Sequence, residues 1–264
     1  MYVQITIAAT EQQQEELIAL LSDYETSGFE QHQNQLIAWF DKNGFSQADV
    51  EQILQPYSYD LKYIQEKNWN EEWEQNFQPV IVADFCAVRA DFHRPIAEVE
   101  HEIIITPKMS FGTGHHATTH MMIEQMRQMN FAGKNVLDFG TGTGILAILA
   151  EKLGASKIIA IDVDNWSIEN ATENLKRNDC SRTSLILSSQ IPNKTFDIVL
   201  ANINRNVLIQ YAAELKNALV ANGLLLISGI LPDDQYAVLQ SMKGFTLENS
   251  MQRNSWLSML LKSE

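Results

Sequence analysis

The chain has 264 residues, 45% hydrophobic and 20% charged, with two cysteines and a formal net charge of −14, the balance of an ordinary globular protein long enough for two unequal domains. No apolar run reaches membrane-spanning length, the start MYVQITIAAT lacks a secretion signal's basic and apolar segments, and Cys86 and Cys180 stand apart in no metal-ligand spacing, so no membrane partner, export, disulfide framework or zinc knuckle is expected and the location is expected to be cytoplasmic. The acidic charge disfavours a broad nucleic-acid footprint, which needs clustered Lys and Arg; it either suits a basic partner or serves only solubility.

In chain order, Tyr2 to Ile7 alternates like a strand, and Gln12 to Ser22 has a helical pattern with Thr10 placed to cap it. Gly28-Phe29-Glu30 and Leu36 to Phe40 read as two strands, Ser46 to Leu54 as a capped helix, and Tyr57 to Ile64 as a closing strand. The order βαββαβ predicts a small α+β domain of ferredoxin-like type over residues 1–62. Trp69, Trp73 and Phe77 form one stripe of an acidic segment, read as a packed linker helix over 63–79. Val80 to Val88 and Glu102 to Ile105 look like strands leading into a second domain over 80–264.

From Asn135 onward, strand-length apolar runs (Val136 to Phe139, Lys157 to Ile161, Ser184 to Leu187, Phe196 to Ala201, Leu224 to Ser228) alternate with amphipathic helical segments. This predicts an α/β fold with a doubly wound parallel sheet. Phe245 to Met251 and Trp256 to Leu261, joined by a short polar link, predict a terminal antiparallel hairpin that a dinucleotide-binding fold does not have.

The strongest local signal is Val136-Leu137-Asp138-Phe139-Gly140-Thr141-Gly142-Thr143-Gly144, an apolar strand entering a glycine turn that opens a helix. Glycine lets backbone approach a ligand there. The next strand ends in Asp162, where a carboxylate can accept both hydroxyl protons of a ribose. Nicotinamide enzymes use GxGxxG, but here the third glycine, Gly144, comes one residue early. The turn resembles the GxGxG of class I S-adenosylmethionine-dependent methyltransferases, as does the hairpin ending. In that class Asp138 helps position the methionine part; a purely structural role at the turn is the alternative. After the third strand, where many relatives have an acidic residue near the adenine, this chain has Ser188-Ser189-Gln190.

The fourth strand ends in Ala201-Asn202-Ile203-Asn204-Arg205, at the edge where such sheets bind ligands. Compared with the (N/D)PP(Y/F) of many amine and amide methyltransferases, the Asn is kept while the prolines and aromatic are missing, which favours an aliphatic amine over a planar base. Asn202 either holds that amine or caps the next helix. His115, His116 and His120 lack the zincin Glu after the first His, so no metal is expected.

Ser110-Phe111-Gly112-Thr113-Gly114-His115-His116-Ala117-Thr118-Thr119 resembles the FGTGxHxTT signature of the PrmA family, which methylates ribosomal protein eleven of the large subunit, and Trp69 to Phe77 resembles that family's WxxxWxxNF linker. The resemblance spans the whole chain. It implies that Phe111, Gly112, Thr113 and Thr119 close over S-adenosylmethionine, with Asp138, Gly140, Gly142, Gly144, Asp162 and Asn202 as its other binding residues. It also implies a basic ribosomal protein as partner, methylated on its N-terminal α-amine and lysines, with the small first domain holding it. A monomer is the expected assembly. The chain departs from the family at His115 and Ala117, where Thr and Pro are usual, and at Thr141 and Thr143 of the turn. Another protein, a small amine or RNA stays open as the methyl acceptor. Asn202 is the expected catalytic residue, holding a neutral amine with its lone pair toward the methyl group.

Overall fold

The computed structural model describes residues 2–24, 26–42, 45–64, 78–107 and 114–264. Nearly all of the expected linker helix, and the expected cofactor contacts Phe111, Gly112 and Thr113, lie outside these residues. The chain divides into two compact units, Met1–Asn76 and Phe77–Glu264.

The first unit runs β1 (Tyr2–Ala8), α1 (Glu11–Leu21), β2 (Thr26–His32), β3 (Gln35–Asp41), α2 (Gln47–Leu54) and β4 (Tyr59–Ile64). Its four strands pair antiparallel in the order β2-β3-β1-β4. Val3, Ile5 and Ile7 alternate onto one face of β1, as the two-residue strand period requires. They form one core with Leu36, Ala38 and Phe40 of β3, Leu17 and Leu21 of α1, and Val50 and Leu54 of α2. Thr10 precedes α1, and its N–H donates to Oε1 of Gln13 at 2.9 Å, satisfying a donor the helix leaves open.

The second unit starts with a small sheet of β5 (Val80–Val82), β6 (Cys86–Ala90) and β7 (His101–Ile105). The segment expected as one strand over 80–88 is a hairpin: Ala83 takes a positive φ of 49°, Phe85 N–H closes the turn onto Val82, and β5 and β6 pair antiparallel. There follow α3 (Ala117–Met126), β8 (Asn135–Phe139), α4 (Ile145–Lys152), β9 (Lys157–Asp162), α5 (Asn165–Arg177), β10 (Thr183–Leu187), β11 (Phe196–Asn202), α6 (Arg205–Gln210), α7 (Ala212–Asn217), β12 (Leu219–Ile230), α8 (Gln235–Ser241), β13 (Phe245–Arg253) and β14 (Trp256–Ser263).

Seven of these strands form one sheet in the order β10-β9-β8-β11-β12-β14-β13, parallel except for β14, which runs antiparallel to both of its neighbours. The terminal hairpin is thus inserted next to β12. Alternate strand residues feed two cores. Val136, Ile158, Ile198 and Leu200 face α3, α4 and the small sheet, while Leu137, Ile159, Val199 and Ala201 face α6, α7 and α8. β12 begins five residues earlier than its apolar run suggested, because Leu219 to Gly223 joins it through an irregular stretch with Asn222 at φ 60°.

Candidate active site

From β8 the sheet grows in one direction through β9 and β10 and in the other through β11 and β12. The switch leaves a crevice at the carboxyl ends of β8 and β11, the place where open α/β sheets bind ligands. The turn after β8 occupies it. Gly140, Gly142 and Gly144 have φ of 77°, 54° and 82°, the left-handed region that disfavours a Cβ. The turn is stitched to β9: Gly140 and Thr141 N–H donate to the carbonyl of Ile161 at 2.9 and 3.0 Å, and Gly142 N–H donates to Oδ2 of Asp162 at 2.8 Å.

Asp138, at the end of β8, is buried, and its Oδ2 accepts the Thr141 hydroxyl at 2.6 Å while Oδ1 has no hydrogen-bond partner. Burial pushes its carboxyl up to about 7, against the opposing Thr141 and Ala147 hydrogen bonds and with the help of the negative Asp162. The Thr at 141, a departure from the family turn, is therefore what holds this carboxylate.

The other wall comes from distant parts of the chain. Asn202 ends β11, and its Nδ2 donates to Oγ1 of Thr119 on α3 at 3.4 Å. The helix-capping role falls to Asn204 instead, whose Oδ1 accepts Val207 N–H at 3.1 Å. His116 caps α3 and meets the ring of Trp256, at the start of β14, edge-on with centroids 4.7 Å apart. Trp256 was not singled out by the sequence, yet it lines the same cavity as Asn202. Ile203 is wedged between two glycines. A Cβ on Gly140 would overlap its side chain, and a Cβ on Gly229, at φ 88°, would stand 2.8 Å from its carbonyl carbon.

A cavity of about 350 Å³ opens here, lined among others by His116, Thr119, Gly140, Gly142, Asn202, Gly229 and Trp256. Asp162 lies outside its walls, and Gly144 opens α4 against Ala171 of α5. The sequence also gave no sign of an asparagine ladder on α5. Asn170, Asn174 and Asn178 stand one turn apart; Asn174 accepts Thr106 N–H at 2.7 Å and donates to the Thr143 carbonyl at 2.8 Å, and Asn178 exchanges bonds with the backbone of Ile104. These side chains tie the end of β7 to the glycine turn.

A family model described as ribosomal protein L11 methyltransferase (PrmA) matches residues 4–264. The chain belongs to this family. It is 37% identical to the ribosomal protein L11 methyltransferase of Porphyromonas gingivalis over 92% of this chain and 88% of the relative, and 35% identical to that of Chlorobaculum tepidum over 93% and 91%. A solved structure of ribosomal protein L11 methylase from Lactobacillus delbrueckii subsp. bulgaricus aligns with a TM-score of 0.65 and 25% identity, covering 71% of this chain and 99% of that one. The chain is accordingly a methyltransferase of the class I fold, and S-adenosylmethionine is its methyl donor.

The crevice fits that molecule in three respects. The glycine turn leaves backbone free of side chains at the sheet switch point. Asp138 offers a buried carboxylate oxygen with no partner, the complement of an amino acid's ammonium. Asp162 accepts one N–H on each oxygen, from Gly142 and Asp164, which leaves a lone pair on each for ribose hydroxyls.

Proposed function

We propose that the protein transfers methyl groups to the N-terminal α-amine and lysine side chains of ribosomal protein L11. The observation that carries this reading is the pairing of Asn202 with Thr119 at a cavity rimmed by the glycine turn and by Trp256, in a chain that aligns with relatives named ribosomal protein L11 methyltransferase over 88% and 91% of their length. The donor's sulfonium, when bound, supplies a methyl group on an excellent leaving group, so the protein's work is alignment and exclusion of water.

The acceptor amine must be neutral to react. Near neutral pH a lysine with pKa ~10.4 costs about 4 kcal/mol to deprotonate, whereas an α-amine near ~8 costs about 1 or less. Walls of Trp256, Ile203 and Leu146 raise the cost of a charged ammonium inside the cavity and so favour the neutral form. The Asn202 side-chain carbonyl accepts from the amine and turns its lone pair to the methyl group; Thr119, bonded to the Asn202 amide nitrogen, fixes which end of the amide faces the cavity. No dedicated base is needed, and repeated methylation of one nitrogen requires only rotation about a C–N bond.

The cofactor residues in this reading are Phe111, Gly112, Thr113, Thr119, Asp138, Gly140, Gly142, Gly144, Asp162 and Asn202, with Thr119 and Asn202 at the border where donor meets acceptor, so that the Asn202 side chain serves the amine. The first unit holds the basic substrate protein, which the net charge of −14 attracts. The enzyme works as a cytoplasmic monomer without binding nucleic acid; among the described residues no helix is long and apolar enough to cross a membrane. The test is label transfer from methyl-labelled S-adenosylmethionine to purified L11, tRNA, rRNA and free amino acids, with mass spectrometry of the product. Label on the α-amine and lysines of L11 is expected, and label only in RNA or small molecules would contradict the substrate. Deleting residues 1–62 is expected to abolish L11 methylation; full rate without them would remove the first unit's role.

A further inference from the structure

In the small sheet β7 is an end strand, paired with β6 along one edge. Along its other edge side chains of α5 take the place of a neighbouring strand. Asn178 accepts Ile104 N–H at 2.9 Å and donates to the Ile104 carbonyl at 2.7 Å, Asn174 accepts Thr106 N–H at 2.7 Å, and Asn170 donates to the Thr106 carbonyl at 3.3 Å. Asparagine is a weak helix former, and a buried amide is costly unless bonded, so bonding rather than packing is what these positions supply. Asn174 reaches further than the other two. It is fully buried, and its amide hydrogens go to the Thr143 carbonyl at 2.8 Å and to Oδ1 of Asn170 at 2.7 Å. The Thr143–Gly144 peptide is therefore held at both ends, its carbonyl by Asn174 and its N–H by the Thr141 carbonyl at 2.9 Å. It lies between Gly142 and Gly144, both at positive φ, where backbone without a Cβ has several orientations open to it.

We propose that Asn174 is a positioning residue for methyl transfer: one amide locks the glycine turn against the end of β7 and so keeps the turn in its donor-binding conformation. Its role rests on the reading of the turn as the donor site. Asn174 is not among the residues that line the cavity; it acts through Thr143, which is. Loss of the bond releases the turn to other orientations, and apparent donor affinity falls in proportion to the fraction of molecules still competent. Once the donor is bound the turn is again in place, so the transfer step itself is little changed. Asn178 ties the same helix to the same strand without a bond to the turn, and it separates this role from general anchoring of α5.

The test uses the full chain, with S-adenosylhomocysteine titrated by calorimetry, kcat and donor KM taken from label transfer, and urea unfolding as the measure of stability. Asn174→Asp keeps an acceptor for Thr106 N–H but turns an oxygen toward the Thr143 carbonyl. The neutral Asn174→Ser, too short to span both segments, probes the same contact without a charge. Both are expected to raise the Kd for S-adenosylhomocysteine and the donor KM about tenfold, a competent fraction near one-tenth, with kcat within about threefold of wild type. Asn178→Ala is expected to lower the urea midpoint at least as far as Asn174→Ser while affinity stays within about threefold. Wild-type affinity in the Asn174 variants, or equal losses of affinity in Asn174→Ser and Asn178→Ala, would overturn the positioning role and leave Asn174 a structural residue. Unweakened binding in Asp162→Ala would overturn the donor-site reading of the turn, and this role with it.

Discussion

In the proposed reading, Gly140, Gly142, Gly144 and Asp162 serve as the donor side of the crevice, from one strand-turn-helix-strand run, whereas Thr119, Asn202, Gly229 and Trp256 serve as the acceptor side, from four elements far apart in the chain. The donor side is set by local backbone conformation and a few short hydrogen bonds. The acceptor side is set by tertiary packing, with Ile203 pressed between Gly140 and Gly229 and with Gln125 of α3 donating to Ser258 of β14 at 2.7 Å. The difference teaches that donor binding and acceptor alignment can be disturbed separately, and by different kinds of change.

The largest effect is expected at Gly229. Its positive φ and the unyielding Ile203 backbone leave no room for a Cβ, and overpacking of this kind costs about 1–3 kcal/mol. Gly229→Ala should lower turnover about 100-fold, the consequence of a displacement near 1 Å, with S-adenosylhomocysteine affinity within about threefold of wild type. Equal losses in both, measured by label transfer and calorimetry, would break the division between the two sides. Asp162→Ala should do the reverse. Losing charge-assisted bonds worth roughly 1.5–3 kcal/mol raises the Kd for S-adenosylhomocysteine about 10- to 100-fold, with kcat at saturating donor near wild type.

Asp138 sharpens the comparison through pH. Its folded-state pKa is raised to about 7, so the stability it contributes is full below the ordinary carboxylate range and lost as pH rises through 7. An ammonium beside Oδ1 favours the ionised form, so donor-product affinity should rise about tenfold between pH 5.5 and 7, and Asp138→Asn should flatten that profile. A flat wild-type profile would remove Asp138 from the donor side. The smallest effect is expected at Ser258→Ala, which leaves the buried Gln125 Nε2 without its acceptor. Urea unfolding should register about 1–3 kcal/mol of lost stability, while a loss confined to turnover would contradict a packing role.

The turn after β8 and its bond to Asp162 were legible in the sequence because the residues lie close together in the chain and glycines announce the turn. Asn202 was legible as the end of a strand at the sheet's switch point. The acceptor side was less so: Trp256 reads as the first residue of an ordinary hairpin strand, Gly229 as one more glycine in an apolar run, and the Asn170, Asn174 and Asn178 ladder as the polar face of a helix. What gives them meaning is contact across long separations, such as Asn174 with Thr106 and Asn202 with Thr119. The break of Val80 to Val88 into a hairpin was hidden for another reason, since Ala83 does not advertise a positive φ as glycine or asparagine would.

The most direct test of the two-sided account is Asn202→Ala, assayed for S-adenosylhomocysteine binding by calorimetry and for methyl transfer to L11 in the same preparation. The account predicts donor-product affinity within about threefold of wild type and transfer reduced about 100-fold. Normal transfer, with affinity retained, would contradict the assignment of Asn202 to the acceptor amine.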